Sequence, residues 1–272
     1  MTRGQIDLSR MYLDKWQMHL ALSHDIVQGL KLPFTQLLSQ CMTNDFTKYN
    51  AWYVKPINTW GGHQIAKCER SGEQAWILRQ QTGPVQRYRH IAQLVQDLTL
   101  MYDPIATIVQ QAAPVATWRN RPFDIRVLCQ RESDCWVFAG SLARVAAQGS
   151  LVSNLGTGHG DVFPTREVLE VLYPKRSKQS RVLQHLKQYS LRICEILDSY
   201  AQFDEVGVDY GLSHEGQIWL FEVNTNDRLG GPSRELFAKL PDKTTYEQIE
   251  ARAEANRQAW LSQLVSEILS VD

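Results

Sequence analysis

The amino-acid sequence predicts an α+β protein built as two lobes with a cleft. Strand-like segments occur in two groups, the first at residues 51–80 and the second at 123–145 with 206–223. The order is a β-rich unit, a helix, a sheet, a long helix, further strands and a last helix, which is typical of α+β chains. A length of 272 residues is enough to bury a substantial core in one large domain or in two lobes.

Composition and charge exclude several classes of protein. Lys and Arg together number 29, as do Asp and Glu, so no net field favours nucleic acid or an anionic membrane as a partner. No apolar run approaches the length of a membrane span, and the first ten residues are not followed by the apolar core of a signal peptide. Five scattered cysteines without C-x-x-C spacing fit a reduced, cytoplasmic setting.

The first part of the chain predicts a small helical unit followed by an antiparallel sheet. Residues 14–28 carry apolar side chains at roughly helical spacing, and Pro33 ends that pattern. Beyond it we expect strands at 51–57, 65–68 and 74–80, an amphipathic helix at 88–102 and a buried strand at 105–111.

The second part predicts another sheet with a long helix lying on it. Alternating polar and apolar residues indicate a strand at 123–130, with an antiparallel partner at 136–145. The remaining predicted elements are a helix at 180–200, a hairpin of strands 206–212 and 217–223, and a C-terminal helix at 245–269.

The predicted hairpin brings three oxygen-bearing side chains together. Glu222 and Asn224 point to the same face because side chains alternate along a strand, and the hairpin brings Asp209 level with the end of the second strand. Carboxylate and amide oxygens suit Mg²⁺, whose coordination is completed by water and substrate phosphates. The alternative is an edge hairpin whose polar side chains face water.

Two arginines on strands indicate an anion site. Arg126 and Arg144 lie within apolar strands, where an arginine requires an anionic partner. Asp124 is the alternative partner for one of them. The nearby run GSLVSNLGTGHG favours an anionic ligand.

Of two lysines near glycine-rich or helical segments, Lys55 is a candidate for phosphate binding, whereas Lys15 taken alone is typical of a solvated surface lysine. Lys15 lies near the start of the first helix, and Lys55 lies on a strand before a loop that carries Gly61 and Gly62. Glycines let the backbone approach a phosphate, and a strand-borne lysine adds a point charge. The alternatives are a solvated surface lysine and a common glycine hairpin, and the chain has no G-x-x-x-x-G-K-[ST] sequence of a P-loop.

Six stretches occur in a characteristic order: LDKWQMHLAL, YVKPINTWGG, IVQQ, RPFDIRVLCQ, ARVAAQGSLVSNLGTGHG and VDYGLSHEGQIWLFEVN. With them the chain resembles the ATP-grasp superfamily of carboxylate-amine ligases, most closely its YheC/YheD branch, which is linked to the bacterial spore coat. It is also similar to glutamate ligases that modify a ribosomal protein. The resemblance spans about residues 13–232 and implies an ATP-grasp fold, with a nucleotide held in the cleft between two α+β lobes.

The resemblance implies a role for each matching residue. Lys15 and Lys55 match the phosphate-binding lysines, and Gly61 and Gly62 match the flexible loop that covers the phosphates. A hinge over 109–111, which includes Gln110 and Gln111, is implied to bind adenine. Arg126 and Arg144 are implied to contact the transferred phosphate or acyl phosphate, and Asn154 the acceptor site. The implied Mg²⁺ ligands are Asp209, Glu222 and Asn224.

The implied activity is that of an ADP-forming carboxylate-amine ligase that uses ATP and Mg²⁺. It joins a small-molecule or peptide carboxylate to an amine through an acyl phosphate. The alternatives are a non-catalytic spore coat or scaffold protein that keeps the fold, and a phosphotransferase that acts on a hydroxyl.

The resemblance also implies a domain organisation. Residues 1–48 form a helical segment leading into the fold, 49–112 the small lobe with glycine loop and hinge, and 113–272 the large lobe with the metal site. Family members usually carry an N-terminal domain before the position of Leu13, whereas only twelve residues precede it here. Three expectations follow for substrate recognition: it differs from that of the family, a partner protein replaces the domain, or recognition has been lost. We also expect a cytoplasmic location with a link to the spore.

Overall fold

The computed structural model describes residues 14–25, 27–59, 63–72, 75–150, 153, 160–200, 203–226 and 234–269. These residues form two antiparallel sheets with helices packed on them. The α+β class that the sequence predicts is therefore confirmed. No helix among them is both long and apolar enough to cross a membrane.

The first sheet has six strands and forms the smaller lobe. Its strands are β1 (Thr35–Leu37), β2 (Ala51–Pro56), β3 (Ala66–Ser71), β4 (Ala75–Gln80), β5 (Gln86–Tyr88) and β6 (Thr107–Gln111), in the spatial order β1-β6-β2-β3-β4-β5. Helix α3 (Ile91–Tyr102) covers one face, and its Leu94 and Leu98 pack with Trp52 of β2 in a fully buried core. A short helix, α2 (Thr43–Phe46), adds Phe46 to the same core.

The second sheet has five strands and forms the larger lobe. Its strands are β7 (Phe123–Glu132), β8 (Cys135–Val145), β9 (Asp161–Pro164), β10 (Glu205–Leu212) and β11 (Ile218–Asn226), in the order β11-β10-β7-β8-β9. Helices α4 (Thr165–Leu172) and α5 (Arg176–Leu197) pack on one face. Helix α6 (Thr244–Leu269) covers the other face, where Ile249 packs beside Phe237. Because β10 is buried along its whole length, it forms a rigid base for the residues it carries.

The N-terminal segment joins the two lobes. Helix α1 (Lys15–His24) begins at an Asp14 cap, whose side chain accepts from the Gln17 N–H, and it buries Met18 and Leu22 in the core of the second sheet. The chain then pairs Lys31 with β11 through two backbone hydrogen bonds of 2.9 Å and continues into β1, on the edge of the first sheet. Residues 31–37 therefore cross from one sheet to the other.

The predicted elements are present, with two informative differences. Helix α1 ends at His24, whereas the sequence predicts helix to residue 28, because the chain turns through Gly29 with a positive φ of 89°. Strands β1, β5 and β9 were not predicted, since runs of three and four residues carry too little alternation, and helices α2 and α4 were not predicted either. The predicted division at residues 48 and 112 stays a prediction, and β1 from the first of those segments belongs to the sheet of the smaller lobe.

Candidate functional site

A cleft of about 470 Å³, including space open to solvent, lies where α1, β2, β6 and β11 meet. Its wall is mostly apolar, with five polar side chains among the lining residues. The apolar lining includes Met18, Leu22, Leu32, Pro33, Ile108, Leu220 and Val223, and the polar residues are Lys15, His19, Lys55, Gln110 and Glu222. An apolar slot with a few convergent charges is the usual form of a small-molecule site.

Lys15 stands at the first position of α1 and connects two parts of the site. Its Nζ donates to the backbone oxygen of Thr59, in the predicted glycine loop, and lies 3.5 Å from Glu222 Oε1. The lysine side chain is only 13% exposed, whereas that of Glu222 is 34% exposed. Lys15 is therefore held inside the cleft, and the surface-lysine alternative is wrong.

Lys55 is fixed by a relay of hydrogen bonds that begins on β1. Its Nζ donates to Gln110 Oε1 at 2.7 Å, Gln110 Nε2 donates to Thr35 Oγ1 at 3.2 Å, and Thr35 Oγ1 donates to Pro33 O at 3.0 Å. Burial lowers the pKa of Lys55 to about 8, although the Glu222 carboxylate opposes that shift. An anion bound beside Lys55 would favour its charged form.

The predicted hinge has most of its described hydrogen-bonding groups already in use. The Gln111 N–H donates to Phe34 O at 2.8 Å, and Gln111 Oε1 accepts from the Phe34 N–H at 3.2 Å. The Ala112 N–H donates to Ala51 O at 2.9 Å. A purine that contacts this hinge therefore cannot use the Gln111 or Ala112 N–H without displacing a sheet contact.

Arg126 and Asp209 face each other across β7 and β10. Arg126 Nε donates to Asp209 Oδ1, and its Nη2 donates to Oδ2 at 2.9 Å. Arg144 Nη2 also reaches Asp209 Oδ2, at 2.7 Å. Burial raises the pKa of Asp209, but the two guanidinium groups outweigh burial and lower that pKa to about 2, so the carboxylate stays ionised.

Arg144 has a second carboxylate partner, Asp124. Its Nε and Nη2 donate to the two Asp124 oxygens at 2.7 and 2.8 Å, and both side chains are nearly fully buried. The alternative in which Asp124 pairs with one of the strand arginines is therefore confirmed. Both arginines predicted to bind an anion already contact carboxylates of the protein itself.

The hairpin places the other two predicted metal ligands beside Asp209. Glu222 is its register partner on β11, and Asn224 Nδ2 donates to Asp209 Oδ2 at 3.4 Å. Among the described residues no three His, Cys, Asp or Glu side chains form a metal cluster. Two carboxylates and one amide nevertheless fit a magnesium ion in donor type, because such an ion takes its remaining oxygens from water and phosphates.

Three predicted site residues lie outside the described residues, namely Gly61, Gly62 and Asn154. Sequence reasoning also missed two features of the site. The relay from Thr35 through Gln110 to Lys55 left no recognisable pattern in the sequence. Strand β1 was not predicted, and Thr35 and Gln110 are 75 positions apart along the chain. The second feature is that Arg144 contacts two carboxylates, Asp124 and Asp209. Asp124 and Arg126 lie two positions apart on β7 and so point to one face, which could have indicated a group of charges there.

Most of the chain is similar to known ATP-grasp proteins. Residues 8–253 match the family described as YheC/D like ATP-grasp. The endospore coat-associated protein YheD of Bacillus subtilis (strain 168) is 21% identical over 240 residues, which are 85% of this chain and 50% of the relative. The chain therefore spans about half the length of this curated relative.

Solved structures are similar to this chain at low sequence identity. D-alanyl-alanine synthetase A from Vibrio cholerae O1 biovar eltor matches 90% of this chain and 65% of its own, at 14% identity and a TM-score of 0.50. An ADP complex of purK, N5-carboxyaminoimidazole ribonucleotide synthetase, matches 86% and 49%, at 11% identity and a TM-score of 0.48. Because the family match extends over residues 8–253, the chain belongs to the YheC/D-like ATP-grasp family.

Proposed function

We propose that this protein is an ATP- and Mg²⁺-dependent carboxylate-amine ligase that forms an amide or peptide bond through an acyl phosphate. The observation that carries the proposal is the convergence of Lys15, Lys55 and Glu222 at one end of an apolar cleft. Asp209, with its two arginines, lies on the adjoining strands. Such a set of charges supports phosphoryl transfer, which depends on positioning and electrostatic stabilisation.

The apolar part of the cleft is proposed to hold the base of the nucleotide. Ile108 on β6 and Leu220 on β11 come from different lobes, so a flat ring between them would contact both. The two lysines at the polar end would then bind the phosphates. Lys15 would also keep the glycine loop close to them through its bond to Thr59.

Glu222, Asp209 and Asn224 are proposed to hold Mg²⁺ against the terminal phosphates. The bound ion would neutralise charge that develops on the transferred phosphoryl group. In the structure, Asp209 is bound by Arg126 and Arg144, and Glu222 lies beside Lys15. The proposed metal ligands therefore lie in contact with cationic side chains that could also bind phosphate.

The proposed reaction has two steps. A carboxylate oxygen of the first substrate attacks the γ-phosphorus of ATP, which releases ADP and leaves an acyl phosphate. The amine nitrogen of the second substrate then attacks the acyl carbon, the C–O bond to phosphate breaks, and inorganic phosphate and a proton leave. Arg126, Arg144 and Asn154 are proposed to bind the anionic oxygens near this carbon, and closure of the glycine loop to exclude water.

A second candidate is a non-catalytic scaffold that keeps the fold. The favouring observation is that both arginines pair with carboxylates of the protein itself, Asp124 and Asp209, which an inactive fold would tolerate. The coat-associated relative gives this candidate a setting, and it supports a role connected with the spore for either candidate. A cytoplasmic location and a partner protein that completes the acceptor site are part of the proposal.

Trapping of the acyl phosphate tests the ligase directly. Purified protein is incubated with ATP, Mg²⁺, hydroxylamine and pools of amino acids and peptides, and both ADP and hydroxamate are measured. A ligase gives the two products in equal amounts, since hydroxylamine replaces the amine. If neither product exceeds the level of a Glu222→Gln variant in any pool, the scaffold is favoured. ADP with a phosphorylated hydroxyl product would instead indicate a phosphotransferase.

A further inference from the structure

Two aspartates and two arginines alternate on one face of the second sheet. Asp124 faces Arg144 across β7 and β8, and Arg126 faces Asp209 across β7 and β10. Asp124 and Arg126 are two positions apart on β7, so their side chains emerge on the same side. The result is a buried ion-pair network in which Arg144 contacts Asp124 and Asp209, and Asp209 also contacts Arg126.

Asp124 also has a partner outside this group of four residues. One of its oxygens, Oδ2, accepts from Arg144 Nη2 at 2.8 Å and also from Ser153 Oγ. Ser153 belongs to the stretch between β8 and β9 and directly precedes Asn154 in the sequence. A single carboxylate therefore contacts both a strand arginine and the segment that carries the predicted acceptor-site residue.

The buried ion pair of Asp124 and Arg144 is better explained by orientation of the guanidinium group than by a gain in stability. Asp124 and Arg144 are 3% and 5% exposed, and a buried ion pair contributes little net stability compared with apolar residues of similar size. A bidentate pair does fix the plane of the guanidinium group. The contacts to Asp124 and Asp209 use Nε and Nη2 of Arg144, so they orient its Nη1 edge.

We propose that Asp124 is a positioning residue, which aims the Nη1 edge of Arg144 at the anionic oxygens of the carboxylate substrate and its acyl phosphate. Through its contact with Ser153 it ties that residue to the same arginine. This inference rests on the proposed ligase activity. Asp124 itself touches neither substrate nor nucleotide.

Kinetics of three variants separate positioning from a purely structural role. Asp124→Asn and Ser153→Ala should lower kcat for ADP formation about 10- to 100-fold, as expected for a misplaced catalytic group, and raise KM for the carboxylate, while KM for ATP changes less than about threefold. Ser153→Thr keeps the hydroxyl and should restore most of the rate. The matched control is Asp161→Asn, because Asp161 forms a 3.0 Å pair with Arg121 on the same sheet and is 62% exposed.

Hydrogen exchange gives a readout that does not need activity. Asp124→Asn and Ser153→Ala should both increase deuterium uptake in the peptide around Ser153, whereas Asp161→Asn should not. Equal uptake in the wild type and both variants would overturn the link to this segment. A fall in kcat without any change in the carboxylate KM, or no rescue by Ser153→Thr, would overturn the positioning role. Absence of ADP from the wild type would overturn the proposed ligase activity and with it the positioning role, while exchange alone would still decide the Ser153 link.

Discussion

Asp209 and Arg126 are register partners on adjacent strands, and their side chains form a buried, two-pronged ion pair. Asp209 is also the residue that the family resemblance assigns to the metal. The Asp209 carboxylate therefore has two roles, one structural and one proposed for the metal. It holds Arg126 and Arg144 in place, and in the proposed complex it also contacts a cation.

Asp209→Asn is expected to destabilise the protein, because a neutral amide replaces the buried carboxylate that Arg126 and Arg144 both contact. Breaking a buried pair in this way costs about 3–5 kcal/mol in the free energy of unfolding. Urea denaturation measures it, with the exposed pair variant Asp161→Asn as a control that should change stability by less than about 1 kcal/mol. Equal effects of the two substitutions would contradict the buried ion pair.

Nucleotide affinity should fall as the pH rises through about 8, owing to Lys55. Burial lowers its pKa to about 8 in the free protein, and a bound phosphate favours the charged form. Above pH 8 the lysine must therefore take up a proton for the nucleotide to bind, so the affinity should weaken about tenfold between pH 7 and pH 9. Titration calorimetry over this range measures the effect. Lys55→Arg should remove the dependence, and a persisting slope would assign it to another group.

Gln110→Leu should move that pH dependence to lower pH. The amide oxygen of Gln110 accepts a 2.7 Å hydrogen bond from Lys55, which stabilises the charged lysine. Without the acceptor the pKa of Lys55 should fall further, and affinity at pH 7 should decrease about three- to tenfold, the loss of one hydrogen bond to a charged group. Gln36→Leu on β1 is the matched control, since Gln36 Nε2 contacts Cys41 rather than the cleft. The relay would be wrong if both variants bound nucleotide equally well.

The sequence predicts most of the fold because long periodic segments carry the signal. Alternation along β7, helical spacing over α5 and the hairpin of β10 and β11 all identified elements that the structure contains. The crossing segment 31–37 could not be predicted in the same way. Within this segment Lys31 pairs with Ile218 and Leu220, and Phe34 pairs with Gln111, so its partners are far away along the chain. Its strand has only three residues, which leave no periodic pattern.

The sequence predicted which residues form the candidate site, but not the contacts between their side chains. Residue types and spacing pointed to Asp209 and Glu222, and the hairpin does place them opposite each other. Pairing between Arg126 and Asp209 spans 83 residues, so only the order of strands in the sheet determines it. The same holds for Lys15 and Glu222, which approach because α1 packs against the core beneath β11.

The most direct test of the proposed ligase compares ADP formation by the wild type and by Glu222→Gln in the presence of Mg²⁺ and the substrate pools. Glu222 lies at the cleft with its side chain 34% exposed, so the substitution should leave the protein folded, which circular dichroism and the urea midpoint verify. We predict that turnover falls by about 100-fold or more, because the proposed ion loses a charged ligand. Unchanged turnover in a folded Glu222→Gln variant would contradict the central claim.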